Sequence, residues 1–138
     1  ESEILSKKIQ FVQSLGMKAV FCLGETLDQR EKNQTENILQ EQLEKGLAEA
    51  NPENLILAYE PVWAIGNGKT ATSEQAEKAH AFIAQWLEKK NFKGIAILYG
   101  GSVKPENAAE LIAKPHISGF LVGGASLDPD SFKKICSV

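Results

Sequence analysis

Residues 55–75 read LILAYEPVWAIGNGKTATSEQ, and the order of residue types in this stretch decides the architecture. The apolar run Leu55 to Tyr59 is short and continuous, which suits a strand covered on both faces. Glu60 follows it directly, then a loop from Pro61 to Ala71, then Thr72 and Gln75 at the spacing of a helix capping box. Beyond that cap Ala76, Ala79, Ile83 and Leu87 fall on one helical face. A buried strand, a long loop and an amphipathic helix make up the repeating unit of a parallel α/β sheet.

The same unit recurs on either side. Met17 to Leu23, Ile95 to Leu98 and Phe120 to Val122 are further short apolar runs. Thr35 to Ala50 carries Ile38, Leu39, Leu43 and Leu47 before Asn51 and Pro52 stop the helix. Pro105 suits the first turn of a helix containing Leu111 and Ile112, and Asp128-Pro129 supplies a cap and first position ahead of Phe132, Ile135 and Cys136. In front of them, Glu1 to Leu15 places Ile4, Leu5, Ile9, Val12 and Leu15 on one face, and Gly16 tolerates a left-handed helix end. The expected order is one helix and then four strand-helix units in a single domain, residues 1–138. Right-handed crossovers put the functional face at the strands' carboxyl ends. Pattern alone leaves an open sheet and part of a closed barrel equally allowed. The charged stretch Asp28 to Lys32 reads as a solvated face.

Composition removes several classes. An apolar share of 43% with 24% charged residues is that of an ordinary globular chain. A net charge of −3, from 15 basic and 18 acidic residues, supplies no footprint for nucleic acid. No apolar run reaches the roughly 18 residues of a membrane span, and Glu1, Ser2 and Glu3 do not resemble a signal peptide, so a cytoplasmic chain is expected. Cys22 and Cys136 are too few and too scattered for a disulfide framework or zinc site, and are expected as reduced structural thiols.

The chemistry is written at the ends of strands. Glu60, beside a loop containing apolar Trp63 and Ile65, can be shielded from water and serve as a general base; a capping or ion-paired role suits it as well. Tyr99-Gly100-Gly101-Ser102 and Gly123-Gly124-Ala125-Ser126 follow successive strands, and both allow an anion to approach backbone N–H groups, although each could be a simple turn. A Walker loop requires glycine where Trp63 stands, five residues before Gly68. Gly66, Gly68 and Ala71 match the dinucleotide spacing but begin too far from the strand for its tight turn.

Ala58-Tyr59-Glu60-Pro61-Val62-Trp63-Ala64-Ile65-Gly66, continuing through Gly68-Lys69-Thr70-Ala71, resembles the signature and lid of the triosephosphate isomerase family. Cys22, Gly24, Glu25 and Arg30, then Tyr99 to Val103, then Gly119 to Ser126, follow the same family in order and spacing. The resemblance implies an α/β fold, the C-terminal half of a (β/α)8 TIM barrel: helix four plus four parallel βα units, strands five to eight. It implies Glu60 as the base that shuttles a proton between glyceraldehyde 3-phosphate and dihydroxyacetone phosphate, with no metal or organic cofactor. Gly66, Ser102, Gly123 and Gly124 become phosphate-binding residues. Trp63, Ile65, Gly68 and Ala71 belong to the lid, Tyr99 and Ser102 latch it, and Tyr59, Glu25 and Trp63 exchange contacts as it moves.

The family's lysine and histidine electrophiles lie upstream of Glu1, so residues 1–138 are expected to be a fragment without activity of their own. His80 and His116 read as structural or surface groups, and Lys69 and Lys104 as solvated. The implied partners are a triose phosphate, an N-terminal half or self-association at open sheet edges, and the family's homodimer, in glycolysis and gluconeogenesis. A noncatalytic half-barrel folding or phosphate-binding module is the alternative for the isolated chain. Another phosphate-handling barrel enzyme is the third reading, against which Glu60 and its lid stand.

Overall fold

A computed structural model describes residues 2–65 and 69–138. The helix α1 (Ser2–Ser14) leads into β1 (Ala19–Leu23), followed by α2 (Leu27–Glu31) and α3 (Thr35–Gly46). Next come β2 (Leu55–Tyr59), α4 (Ser73–Lys89), β3 (Ile97–Tyr99), α5 (Pro105–Ile112), β4 (Gly119–Phe120) and α6 (Pro129–Cys136). The four strands form one all-parallel sheet in the order β1-β2-β3-β4. The expected α/β class and four consecutive βα units are therefore present.

Local chemistry explains most boundaries. Thr72 and Gln75 form the expected capping box at α4, Asp128 caps α6 through the Ser131 N–H, and Pro105 and Pro129 occupy first-turn positions where no N–H is needed. Gly16 takes a left-handed φ of 73° after α1.

Several expected bounds shift. β1 begins at Ala19 and not Met17; β3 is Ile97–Tyr99 and not Ile95–Leu98; β4 is Gly119–Phe120 and not Phe120–Val122. Strand ends follow the neighbour that completes the ladder, so Ile97 is fixed by pairing with Leu57 and Phe120 by pairing with Tyr99. The helix expected to run to Ala50 stops at Gly46, where a Cβ would meet the Phe21 ring at 2.5 Å. The stretch Asp28 to Lys32 is not merely a solvated face: Thr26 and Gln29 cap a short helix there, and Arg30 reaches inward from it.

The core lies between the sheet and its helices. Leu57 and Tyr59 from β2 meet Leu39 and Leu43 of α3, Ile83 of α4 and Leu111 of α5, all at most 2% exposed. The opposite face of the sheet corrects the expectation of strands buried on both sides. Along β1 burial alternates, and Val20 is 46% exposed and Cys22 exposed, whereas Ala58, the neighbour of Cys22 across the ladder, is buried, so the open part of this face lies along β1. Part of the expected apolar face of α1 is likewise open: Ile4 and Leu15 are exposed, as is Phe11, whereas Ile9 is buried. Cys136 is also exposed, and both cysteines are free.

Behind the sheet His80 is fully buried, edge-on to Tyr59, with Nδ1 3.1 Å from the His116 carbonyl. That bond assigns the proton to Nδ1 and leaves Nε2 without a partner among the described residues. Burial lowers the ring pKa from 6.5 to about 4, against the opposing effect of the His116 carbonyl. An unfolded histidine takes a proton near pH 6.5 and this one only near pH 4, so acid favours unfolding. The stability is fully present above pH 6.5 and is lost as pH falls towards 4, by about 3 kcal/mol. Urea unfolding at pH 7.5, 5.5 and 4.5 should show a steeper acid loss for the unmodified chain than for His80→Gln. Equal pH dependence in the two proteins would contradict the assignment.

Candidate active site

The carboxyl ends of β1, β2 and β3 converge on Glu60, and two glycines make that convergence possible. The ladder continues past the strands: the Glu60 N–H donates to the Leu23 carbonyl at 2.8 Å, and the Gly100 N–H donates to the Tyr59 carbonyl at 2.8 Å. A Cβ on Gly24 would run into the carbonyl of Glu60, and one on Gly100 would lie 2.6 Å from Glu60 Cγ and 3.0 Å from Oε1. Glu60 thus stands between two backbone segments without side chains. Gln42 of α3 secures the first, accepting from the Gly24 N–H at 2.9 Å and donating to its carbonyl at 3.0 Å.

Cys22 shares the inner face of the sheet with Glu60. Although solvent reaches one side of it, the thiol is partly covered on the other, and its pKa is pushed up to about 11, by that partial burial first and then by the charge and hydrogen bond of the Glu60 carboxylate. It therefore stays protonated beside that carboxylate and is no nucleophile at neutral pH. Among the described residues no group of three His, Cys, Asp or Glu is placed to hold a metal ion.

The loop after β2 is anchored through a second carboxylate. Glu25 is 0% exposed. The Tyr59 hydroxyl donates to both its oxygens, at 3.1 and 3.0 Å, and the Trp63 Nε1–H and an Arg30 guanidinium N–H donate to Oε1 at 3.1 and 3.0 Å. The Arg30 guanidinium also lies 4.9 Å over the Trp63 ring. Burial, followed by the Glu25 charge, raises the Tyr59 phenol pKa, so this hydroxyl remains a donor. A main-chain bond from the Val62 N–H to the Glu25 carbonyl, at 3.0 Å, completes the anchor.

From there the chain turns through residues 62–64 towards β3. The N–H and the hydroxyl of Ser102 both donate to the Ala64 carbonyl, at 3.1 and 2.9 Å, and Asn107 Nδ2 holds the Ser102 carbonyl at 3.0 Å. Ser102 is therefore a contact of the loop base in this conformation, and its N–H is committed. The Tyr99 hydroxyl is buried beneath Gly101 and completes no hydrogen bond among the described residues. Burial raises its pKa.

Glu60 opens onto a cleft of about 570 Å³ bounded by Ile65, residues 100–104 and residues 121–125. Gly123 and Gly124 also line it, where a short 3-10 turn (Gly124–Leu127) begins. A Cβ at either would meet nothing within 4 Å, so protein packing alone does not demand glycine there. The structure thus brings Glu60, Ile65, Ser102, Gly123 and Gly124 to one cleft, with Glu25, Trp63 and Tyr99 supporting it. Ala71 is buried just ahead of the α4 cap, and the expected Gly66 and Gly68 lie outside the described residues.

Neither histidine lines this cleft: His80 is behind the sheet, and His116 Nδ1 is 2.5 Å from Glu77. Sequence reasoning missed Gln42 and Asn107 as supports. Each is a single polar residue on a helix, with no local pattern to single it out.

Because Gly24 touches the Glu60 main chain, Gly24→Ala should destabilise the fold by about 1–3 kcal/mol, as overpacking does, and should displace the Glu60 amide resonance. Urea unfolding and amide spectra test this. Unchanged stability and an unmoved Glu60 signal would contradict the close approach.

A family model described as triosephosphate isomerase matches residues 1–138. Triosephosphate isomerase of Bdellovibrio bacteriovorus is 51% identical over 136 residues, covering 98% of this chain and 56% of its own length. The same enzyme of Thermodesulfovibrio yellowstonii is 48% identical over 137 residues, covering 96% and 56%. The crystal structure of triosephosphate isomerase from Bartonella henselae superposes with a TM-score of 0.90 at 41% identity, over 99% of this chain and 57% of that one. The chain spans just over half the length of the relatives it matches, and the superposition is with a corresponding part of the TIM barrel. By sequence and by structure, this chain belongs to the triosephosphate isomerase family.

Proposed function

We propose that residues 1–138 carry the base and phosphate side of a triosephosphate isomerase active site. The observation that carries this reading is Glu60 held between Gly24 and Gly100, lining a cleft that Gly123 and Gly124 also line. Glu60 removes a proton from the carbon next to the substrate carbonyl and, as the carboxylic acid, returns it to the neighbouring carbon, while the hydroxyl proton passes to the former carbonyl oxygen on the side of the cleft that the first-half segment would supply. This interconverts glyceraldehyde 3-phosphate and dihydroxyacetone phosphate. The phosphate lies against the main chain of Gly123 and Gly124, where no side chain holds it off. The Ser102 N–H joins it only after the Ala64 carbonyl is released, which ties phosphate binding to movement of the loop base.

The family's lysine and histidine polarise the carbonyl, and neither described histidine faces the cleft. The proposal therefore includes a first-half segment that closes the barrel along the α1/β1 edge, where Phe11, Leu15, Met17 and Val20 are exposed. It also includes the family's homodimer and a cytoplasmic role in glycolysis and gluconeogenesis. Among the described residues no helix is long and apolar enough to cross a membrane.

A coupled assay with glyceraldehyde 3-phosphate tests the reading. Residues 1–138 alone should show no turnover, because the developing enediolate oxygen lacks its donors. Adding the first half of a relative should restore turnover, and Glu60→Ala should then reduce it by about 10²–10⁴. Robust turnover by residues 1–138 alone, or restored turnover indifferent to Glu60→Ala, would overturn the assignment.

A further inference from the structure

Two charged side chains stand among the described residues that line the cleft, Glu60 and Lys104. They have opposite signs, and only one has a place in the reaction proposed above. Lys104 is exposed at the N-cap of α5, immediately after the Gly100 to Val103 loop. Its backbone is fixed there: the Lys104 N–H donates to Asn107 Oδ1 at 2.8 Å, and the same Asn107 holds the Ser102 carbonyl. Lys32, Lys45, Lys78 and Lys114 are each ion-paired with a carboxylate; Lys104, like several other surface lysines, forms no ion pair among the described residues, and of those it is the one that lines the cleft. Its charge is not spent on a neighbour.

A triose phosphate brings up to two negative charges into a cleft that already contains the Glu60 carboxylate, in a chain of net charge −3. The N–H groups of Gly123 and Gly124 supply neutral dipoles and cannot offset that repulsion at a distance. A cation at the rim can, and its effect reaches over roughly a Debye length, about 10 Å at moderate salt. We infer that Lys104 is a specificity-determining residue that draws the phosphate dianion of the substrate into the cleft and favours phosphorylated over neutral trioses. This rests on the phosphate reading of Gly123 and Gly124. It assigns the charge selection to a side chain and leaves close contact to the main chain.

Inorganic phosphate is the probe, titrated into the full chain while the Gly123 and Gly124 amide resonances are followed. Lys104→Ala should weaken phosphate binding about fivefold at ~0.05 M salt, and Lys104→Arg should stay within about twofold of the unmodified chain. The gap between the unmodified chain and Lys104→Ala should close near ~0.5 M salt, which a purely structural role of the N-cap residue would not produce. Equal affinity of Lys104→Ala and the unmodified chain, or a deficit that salt leaves unchanged, overturns the role of Lys104 while the phosphate site stands. Phosphate that moves neither amide in the unmodified chain overturns the phosphate site and this inference together.

Discussion

A buried carboxylate is the constraint on which the rest of the site depends. Glu25 is fully shielded from solvent, and an ionised group there is tolerable only with full hydrogen-bond satisfaction. Its partners come from three places: Tyr59 at the end of β2, Trp63 at the base of the following loop, and Arg30 on α2. Removing a single partner of such a group commonly costs about 3–5 kcal/mol. The carboxylate therefore fixes the loop base, the second strand and a short surface helix against one another. That helix has no buried residue of its own, and Arg30 is what ties it to the interior.

The geometry around Glu60 follows from this anchor. With Tyr59 tied to Glu25, and Gly24 clamped by Gln42, the ends of β1 and β2 approach until only glycine fits between them. Gly100 makes the same allowance on the other side. The candidate base is then positioned by its main chain and by the absence of neighbouring side chains, while the cleft in front stays open towards Gly123 and Gly124. Ser102 links the other end of the loop base to the segment that follows β3, through the Ala64 carbonyl. The protonated Cys22 thiol adds a weak donor beside the carboxylate.

Much of this was legible in the sequence, for reasons of range. The run Leu55 to Tyr59, the Thr72–Gln75 cap and the Asp128-Pro129 start are local signals, and local physics decides them. The ends of β3 and β4 were misplaced because a three- or two-residue strand is bounded by its partner across the ladder and not by its own apolar run. The charged stretch around Arg30 concealed a helix and an inward ion pair, since five residues of mixed charge read the same whether one of them turns inward or all face water. Glu60 was legible as a candidate, but spacing alone could not separate a base from a capped carboxylate; the exact string around it pointed to the family. That the Ser102 N–H is committed to Ala64 depends on the loop's conformation, which no spacing encodes.

The most direct test of this account is the indole N–H of Trp63, observed by nitrogen-proton correlation and hydrogen exchange in the full chain. A hydrogen bond to a buried carboxylate should shift that resonance downfield and slow its exchange well below that of an exposed indole. Glu25→Gln should move it while leaving the Trp86 indole in place. A Trp63 indole N–H that exchanges as freely as an exposed one, or that is unmoved by Glu25→Gln, would contradict the claim that the Glu25 carboxylate organises the site.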